Sequence, residues 1–391
     1  MAHQIIISLL FLILTCYLGA RIIYSLPISR TGKWLLFFFC LLASENFLLH
    51  RLFYAAGILP FIPPWLSLGL SIAQAFIIIL ALLTLAREFV FIACSGIRYL
   101  KKGWRLKHEP GIWQRHLGWT SLLLCVLALL LTGKGVYNAA QIPQIVEVKI
   151  TSPHLPPALE GFKIAQLSDL HISAGIDVSW VQKIVERTNA LEPDLITLTG
   201  DMLDGRAMDM QAELAPLNAL HAPYGVFVVD GNHEYYISYS DWLRYMDTIS
   251  KHQLLRNQGV VLPVNGTRLG IAGAADRQGG KKWGGPDLDA AALAVAGADY
   301  RILLWHRPKQ AELAARAGFD LMLAGHTHGG QFFPGNLLAA IPNKYISGLY
   351  DVEGMALYVN PGSSLWGRVP LRLLVQSEIT LLTLHRGTAE E

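Results

Sequence analysis

Five separate segments of this 391-residue chain carry aspartate, asparagine and histidine at spacings suited to holding divalent cations. They are Asp169-x-His171, Gly200-Asp201 with Asp204 three residues on, Gly231-Asn232-His233-Glu234, the lone His306, and Gly325-His326-x-His328. Carboxylate oxygen and imidazole nitrogen suit a divalent ion such as Mn, Fe or Zn, and no soft sulfur is required. The alternating pairs Asp169/His171 and His326/His328 are each expected to put two ligands on one side of an extended segment. Asp201, following the glycine that opens its turn, is the natural bridge between two ions, which lie ~3.5–4 Å apart in paired sites. Gly200, Gly231 and Gly325 leave room for close approach or a positive φ. Two clamped cations lower the pKa of a bridging water and neutralise the charge that builds on a phosphoryl oxygen during in-line displacement. Asn232 adds a neutral oxygen, which limits the negative charge facing an anionic ester. His233 is placed to protonate a leaving oxygen, and Asp204 is the nearby carboxylate that could orient its ring. Taken singly, Asp204 and Glu234 also read as helix-capping carboxylates, and His306 as a hydrogen-bonded structural residue.

These segments need strands to present them. The β-branched run Ile145–Ile150 follows a polar connection, and short apolar runs then alternate with helical stretches. Strands are expected at Phe162–Leu167, Asp194–Thr199, Gly225–Val229, Tyr300–Trp305, Phe319–Leu323, Met355–Val359 and Ile379–Leu384. Helices are expected at Val178–Leu191, Met208–Leu220 and Trp242–Ser250, and a hairpin joins Val260–Val264 to Arg268–Ala272 through Asn265-Gly266. Largely apolar strands separated by helices imply an α/β sheet buried on both faces. In such layers ligands collect beyond the carboxyl ends of strands. Five strand ends deliver the polar segments, and five of the 13 histidines stand there. His154, His221, His252 and His385 lie elsewhere and read as structural or surface residues.

In this order the five blocks resemble the calcineurin-like metallophosphoesterases, over about Phe162–Leu384. The resemblance implies a four-layer α/β/β/α sandwich, with Asp169, His171 and His328 on one metal ion and Asn232, His306 and His326 on the other. It makes Asp201 the bridge and His233 the catalytic histidine, supported by Asp204. One departure concerns the phosphate. Members that act on phosphoproteins carry Arg directly after the residue matching Asp204; here that place is Gly205, with Arg206 one step late. The cation that would hold the substrate is therefore unassigned, with Arg277, Lys281, Lys282 and Arg307 as candidates that otherwise read as solvated charge.

The first 140 residues are a different physical object. They hold 12 Lys and Arg against 3 Asp and Glu, a net charge of +9, while the remainder holds 20 against 26, a net of −6. The whole chain is 52% hydrophobic and only 16% charged, which excludes an ordinary soluble enzyme and a disordered chain alike. Four apolar stretches, Ile5–Tyr24, Trp34–Leu49, Trp65–Leu85 and Leu117–Tyr137, are expected to span a bilayer. The second, with Glu45 and Asn46, is the weakest. Arg21, Arg30 and Lys33 on one connection and seven Lys and Arg between Arg87 and Arg115 on another would both be cytoplasmic. The Arg51–Pro64 connection and the second half would then face outward. All four cysteines lie before residue 140, so a disulfide framework or cysteine-ligated zinc in the second half is excluded.

The expected organisation is a transmembrane region over residues 1–140, a linker and first strand over 141–160, and a metallophosphoesterase domain over 161–391. The expected protein is a bacterial inner-membrane phosphoesterase with two divalent ions, a periplasmic or extracellular active site and a substrate that is a phosphate mono- or diester. Its place at a bilayer raises a lipid-linked substrate. Phe332-Phe333-Pro334 with Leu337–Ile341 offers either core packing or a flap that meets lipid. Two alternatives stand beside this: a pyrophosphatase of a nucleotide-linked acylated sugar in lipid A synthesis (the UDP-2,3-diacylglucosamine hydrolase type) with a cytoplasmic site, and a non-catalytic membrane sensor. Nucleic acid is disfavoured by the net charge of −6 on the second half.

Overall fold

The computed structural model describes residues 2–45, 48, 64–102, 110–174, 176–366 and 369–387. The chain divides into two compact units, Met1–Ala140 with Gly367–Leu371, and Gln141–Trp366 with Arg372–Glu391.

The first unit is helical, with helices Ala2–Arg21, Arg30–Ser44, Pro64–Lys102 and Pro110–Ala139. Among the described residues, three segments are long and apolar enough to cross a membrane: Ser8–Ser25, Trp65–Cys94 and Leu117–Ala139. The second expected span is not among them. Its helix, Arg30–Ser44, has 15 residues and rises about 22 Å, short of a ~30 Å hydrocarbon core. Polar Glu45 forms its C-cap. With three spans the two basic connections fall on opposite sides, so their expected agreement is lost. Asn46 and Leu49 of the second stretch, residues 51–63 of the connection after it, and Arg105 and Lys107 lie outside the described residues.

The second unit is built on two six-stranded sheets. The first runs in the order β1 (Gln144–Ser152), β12 (Glu378–Arg386), β2 (Lys163–Leu167), β3 (Leu195–Leu198), β4 (Val226–Val228) and β5 (Gln253–Leu254). The second runs β10 (Gly348–Val352), β11 (Met355–Val359), β9 (Leu321–Ala324), β8 (Tyr300–Leu304), β7 (Thr267–Gly273) and β6 (Gln258–Val264). β2, β3, β4 and β5 pair in parallel, as do β7, β8, β9 and β11. β1 pairs in parallel with β12 along its whole length, so the segment expected to be linker and first strand is a structural edge of the first sheet.

Three separate apolar cores show why there are four layers. Ile164, Leu195 and Phe227 from the first sheet pack with Leu269, Ile302 and Leu323 from the second, which places the sheets face to face. Val181 and Ile184 of the helix Val178–Asn189 and Trp242 and Tyr245 of the helix Tyr239–Thr248 cover the outer face of the first sheet. Ala291 and Val295, with Ala311 and Ala314, cover that of the second. The α/β/β/α sandwich follows.

Local departures have local causes. The helix expected over Met208–Leu220 is broken into the 3-10 turn Ala207–Asp209, one α turn Gln211–Leu214 and the 3-10 turn Ala215–Ala219. Pro216 supplies no N–H at this point and its ring obstructs the preceding turn. The hairpin forms as expected, with Asn265 and Gly266 at φ 47° and 84°, the two positive values a type I′ turn requires.

Candidate metal centre

The polar segments leave the ends of β2, β3 and β4 in the first sheet and of β8 and β9 in the second. They meet where the two sheets come together. Asp169, His171 and His328 place ligand atoms within 4.8 Å of one another, and so do Asp201, His306 and His326. His171, Asp201 and His233 form a third such group.

One oxygen is common to the last two groups and faces the first through His171. Asp201 Oδ2 lies 3.2 Å from His306 Nε2, 3.8 Å from His171 Nε2 and 3.9 Å from His233 Nε2. Its other oxygen accepts the His233 backbone N–H at 2.8 Å, which fixes the carboxylate's orientation. On one side His328 Nε2 stands 3.1 Å from Asp169 Oδ1 and 3.0 Å from His171 Nε2. On the other His326 Nδ1 stands 3.2 Å from His306 Nε2.

Neighbouring groups aim the imidazoles. The backbone oxygen of Thr199 takes His306 Nδ1 at 2.8 Å, leaving Nε2 to face the centre. Asp204 Oδ1 takes His171 Nδ1 at 3.1 Å and His233 Nδ1 at 2.5 Å, so one carboxylate orients two rings. Asn232 gives the most direct sign of a cation. Its amide Nδ2 donates to the Tyr236 hydroxyl at 3.0 Å, while its carbonyl Oδ1 is buried with no hydrogen-bond partner. A buried bare oxygen is costly unless a cation takes it, and Asn232 directly precedes His233 in the chain. The donor set fits a divalent metal.

The electrostatics agree. Burial opposes ionisation of Asp201, yet His306, His233 and His171 hold its carboxyl well below the usual range. Burial also opposes protonation of His306, but Asp201 overcomes it and pushes the ring up to about 10. His171 is likewise raised to about 9, by Asp204 against the effect of burial. Burial holds His328 down at about 4 although Asp169 beside it favours the protonated ring. These buried carboxylates collect positive charge from whatever can supply it, and metal binding would displace those protons.

The backbone differs from the expected alternation of an extended strand. Asp169, His171, Asp201, His326 and His328 have φ of 53°, 43°, 53°, 72° and 50°. Side chains rarely occupy this left-handed region, so five site residues share a strained conformation. The paired ligands therefore converge through left-handed kinks and not through the pleat of a strand. Of the three glycines, Gly200 has positive φ, at 91°. Gly231 and Gly325 serve close approach instead: a Cβ would lie 2.2 Å from Asp201 Oδ1 at the first, and 2.3 Å from Asp169 Oδ2 at the second.

Several supporting residues carried no sequence signal. Ser168 Oγ donates to Asp169 Oδ2 at 2.5 Å, and Tyr236 fixes Asn232. Glu234 is buried and accepts the backbone N–H groups of Asp201, Met202 and Gly231 at 3.1, 2.6 and 2.7 Å. It ties the loop after β3 to the loop after β4, which settles its ambiguity in favour of structure. Burial and the nearby Asp201 push its carboxyl up to about 7 in spite of those three donors. Glu234→Ala leaves three buried N–H groups bare. At ~1–3 kcal/mol for each such group it is expected to cost at least about 3 kcal/mol, read as a fall in Tm.

Two sheets that converge under five loops, around a carboxylate shared by flanking Asp/His groups, define a metal-dependent α/β hydrolase site. Residues 162–330 match the family model described as calcineurin-like phosphoesterase. Over 284 residues the chain is 34% identical to a bovine (Bos taurus) transmembrane protein with metallophosphoesterase domain, covering 69% of this chain and 64% of that protein. It is 34% identical to an uncharacterized metallophosphoesterase of Campylobacter jejuni (67% and 69% covered) and 32% identical to one of Bacillus subtilis (65% and 91% covered). The chain belongs to the calcineurin-like phosphoesterases, a family of metal-dependent phosphoester hydrolases. It spans a little under two thirds of the bovine relative's length.

Proposed function

We propose that this protein is a membrane-anchored hydrolase of phosphate mono- or diesters that works with two divalent ions, Mn, Fe or Zn. The observation that carries this reading is Asp201 Oδ2, which faces His306 on one side and His171 on the other at 3.2 and 3.8 Å. Asp169, His171 and His328 would hold one ion, and Asn232, His306 and His326 the other, with Asp201 shared. When bound, such a pair activates a water and neutralises charge on the phosphoryl oxygens. His233, oriented by Asp204, would give its proton to the leaving oxygen.

A lipid-linked ester is the favoured substrate class, and the helix Gly335–Asn343 supports it. Leu337, Leu338 and Ile341 on this helix are 57%, 68% and 82% exposed, and Phe333 just before it is 57% exposed. Apolar side chains this open suit the acyl region of a bilayer. Four residues separate Ala139, the end of an apolar helix, from the start of β1, which is a short tether. Replacing Leu338 and Ile341 together with Asp is expected to cut hydrolysis of a vesicle-borne phospholipid-type ester about tenfold or more. Hydrolysis of a soluble nitrophenyl ester should be unchanged.

The side of the membrane follows from the connection before the last span. Residues 95–116 carry six Lys and Arg, more than residues 26–64, which carry three. Holding the richer connection in the cytoplasm puts the domain outside, on the periplasmic face of a bacterial inner membrane, whether three or four segments cross. The full chain in detergent with Mn²⁺ should hydrolyse a nitrophenyl phosphodiester and lose that activity in excess chelator. Metal binding without turnover of any phosphoester would favour a sensor. Fusions after Glu391 report the side: alkaline phosphatase activity supports the exterior, and green fluorescence would point to the cytoplasmic pyrophosphatase alternative.

A further inference from the structure

We propose that Arg307 is the cation that grips the substrate's phosphoryl oxygens, in a pocket whose rim carries Arg277 and Lys309. This rests on the hydrolase reading above and supplies the phosphate-holding group that Gly205 leaves unfilled. The pocket measures about 120 Å³ and is lined by Arg277, Arg307, Lys309, Gln310, His326 and the end of the helix at Pro342 and Asn343. That is several times the ~10–15 Å³ of such space that one water needs, so a phosphoryl group can enter. Three cations and no carboxylate line it, so an anion is its natural occupant.

Arg307 is built into this wall and the other two stand at its edge. Its side chain is 11% exposed, whereas Arg277 and Lys309 are exposed. The guanidinium Nε donates to Asp276 Oδ2 at 2.7 Å. Asp276 is fully buried and itself held: it accepts the Gln278 N–H at 2.8 Å, and its own N–H goes to Asp230 Oδ1 at 2.6 Å. The arginine therefore pivots on a fixed point, and its planar fork is preorganised for a tetrahedral anion.

The outer edge of the fork meets the metal centre. Arg307 Nη1 lies 2.9 Å from His326 Nε2, while His326 Nδ1 faces His306. A ligand nitrogen must offer its lone pair, so a cation on Nδ1 leaves the ring proton on Nε2. Two N–H groups would then oppose each other across the same gap. With His326 in that tautomer, this edge of the guanidinium would be free to turn toward the pocket while Nε stays on Asp276. Arg307 would thus be available to an anion when the centre holds its ions. Of the four cations singled out in the sequence, Lys281 and Lys282 do not line the pocket, and Lys282 lies over the Trp283 ring.

The test uses the full chain in detergent with Mn²⁺, measuring bound manganese and the Kd for inorganic phosphate by calorimetry. Arg307→Gln is expected to weaken phosphate binding about 10- to 100-fold, the range for loss of a hydrogen bond to a charged group. Manganese should stay at the wild-type level. Arg307→Lys keeps the charge and loses the pivot, so its Kd should fall between the two. Lys309→Gln, at an exposed position that cannot disturb folding, should weaken binding by about two- to fivefold. Phosphate binding within twofold of wild type in Arg307→Gln would overturn the proposal. So would manganese loss that accounts for the weaker binding, because Arg307 would then serve the metal ligands and not the substrate. A wild-type protein that binds manganese and phosphate yet cleaves no ester would fail the hydrolase reading alone and leave this comparison intact.

Discussion

Asp201→Asn is expected to lower bound manganese from two equivalents to one or none, and to reduce kcat/KM for a nitrophenyl phosphodiester by about 10³-fold or more. The size follows from losing a metal-based stabilisation of several kcal/mol in the transition state. The direction follows from the geometry of a single atom. Among the described residues, Asp201 Oδ2 is the one carboxylate oxygen within 4 Å of His306, His171 and His233 together. An amide nitrogen there would present hydrogens to the very space a cation needs. Asn is the informative replacement because the backbone can accept it. Asp201 sits at φ 53°, where Asn is tolerated and Ala is strained. The remaining amide oxygen can still accept the His233 N–H. The fold should therefore survive, which circular dichroism and Tm would confirm, and the loss can be assigned to the metals. Two manganese retained with near-normal turnover would remove Asp201 from the shared position, and the two-ion reading with it.

The site was more legible in the sequence than the reasons it works. Nine residues in five segments are placed together by the structure, because each follows an apolar strand run and loops at the carboxyl ends of parallel strands converge. What the residue pattern could not supply was the backbone. The x in Asp169-x-His171 suggested a pleat, yet both flanking residues are left-handed. A one-letter pattern carries no φ for residues other than glycine, so such strain is invisible until the chain is folded. Glu234 was ambiguous for a related reason: its three N–H partners come from two different loops. Asp276 stayed hidden because it holds Arg307 across 31 positions of sequence. Errors in the elements were of a different kind. Pro216 was in plain view and should have broken the expected helix. β10 carries no strand signal in the sequence because Gly348–Val352 is a half-exposed edge strand with no apolar run. The apolar helix Arg30–Ser44 shows the limit of composition, since its greasy residues fill a segment too short to span.

His233→Ala should separate proton transfer from metal binding. His233 Nδ1 is engaged by Asp204 at 2.5 Å, which leaves Nε2 pointing inward, 3.9 Å from Asp201 Oδ2. Its ring is held edge-on against His171 at 4.4 Å and tilted against Tyr236 at 4.8 Å, so the nitrogen has little freedom to wander. It is also one of the more open histidines of the centre, with 14% of its side chain exposed, as a group that meets substrate must be. General acid catalysis contributes ~10²–10⁴-fold, and that loss in kcat is expected for an alkyl phosphate ester, whose alkoxide leaves poorly without a proton. A nitrophenyl ester leaves as a stabilised phenolate and should lose about tenfold or less. Manganese content should match wild type in both cases, in contrast to Asp201→Asn. Losses of equal size on the two esters would show that His233 is not the acid, and a fall in bound manganese would make it a ligand, as its proximity to His171 and Asp201 also permits.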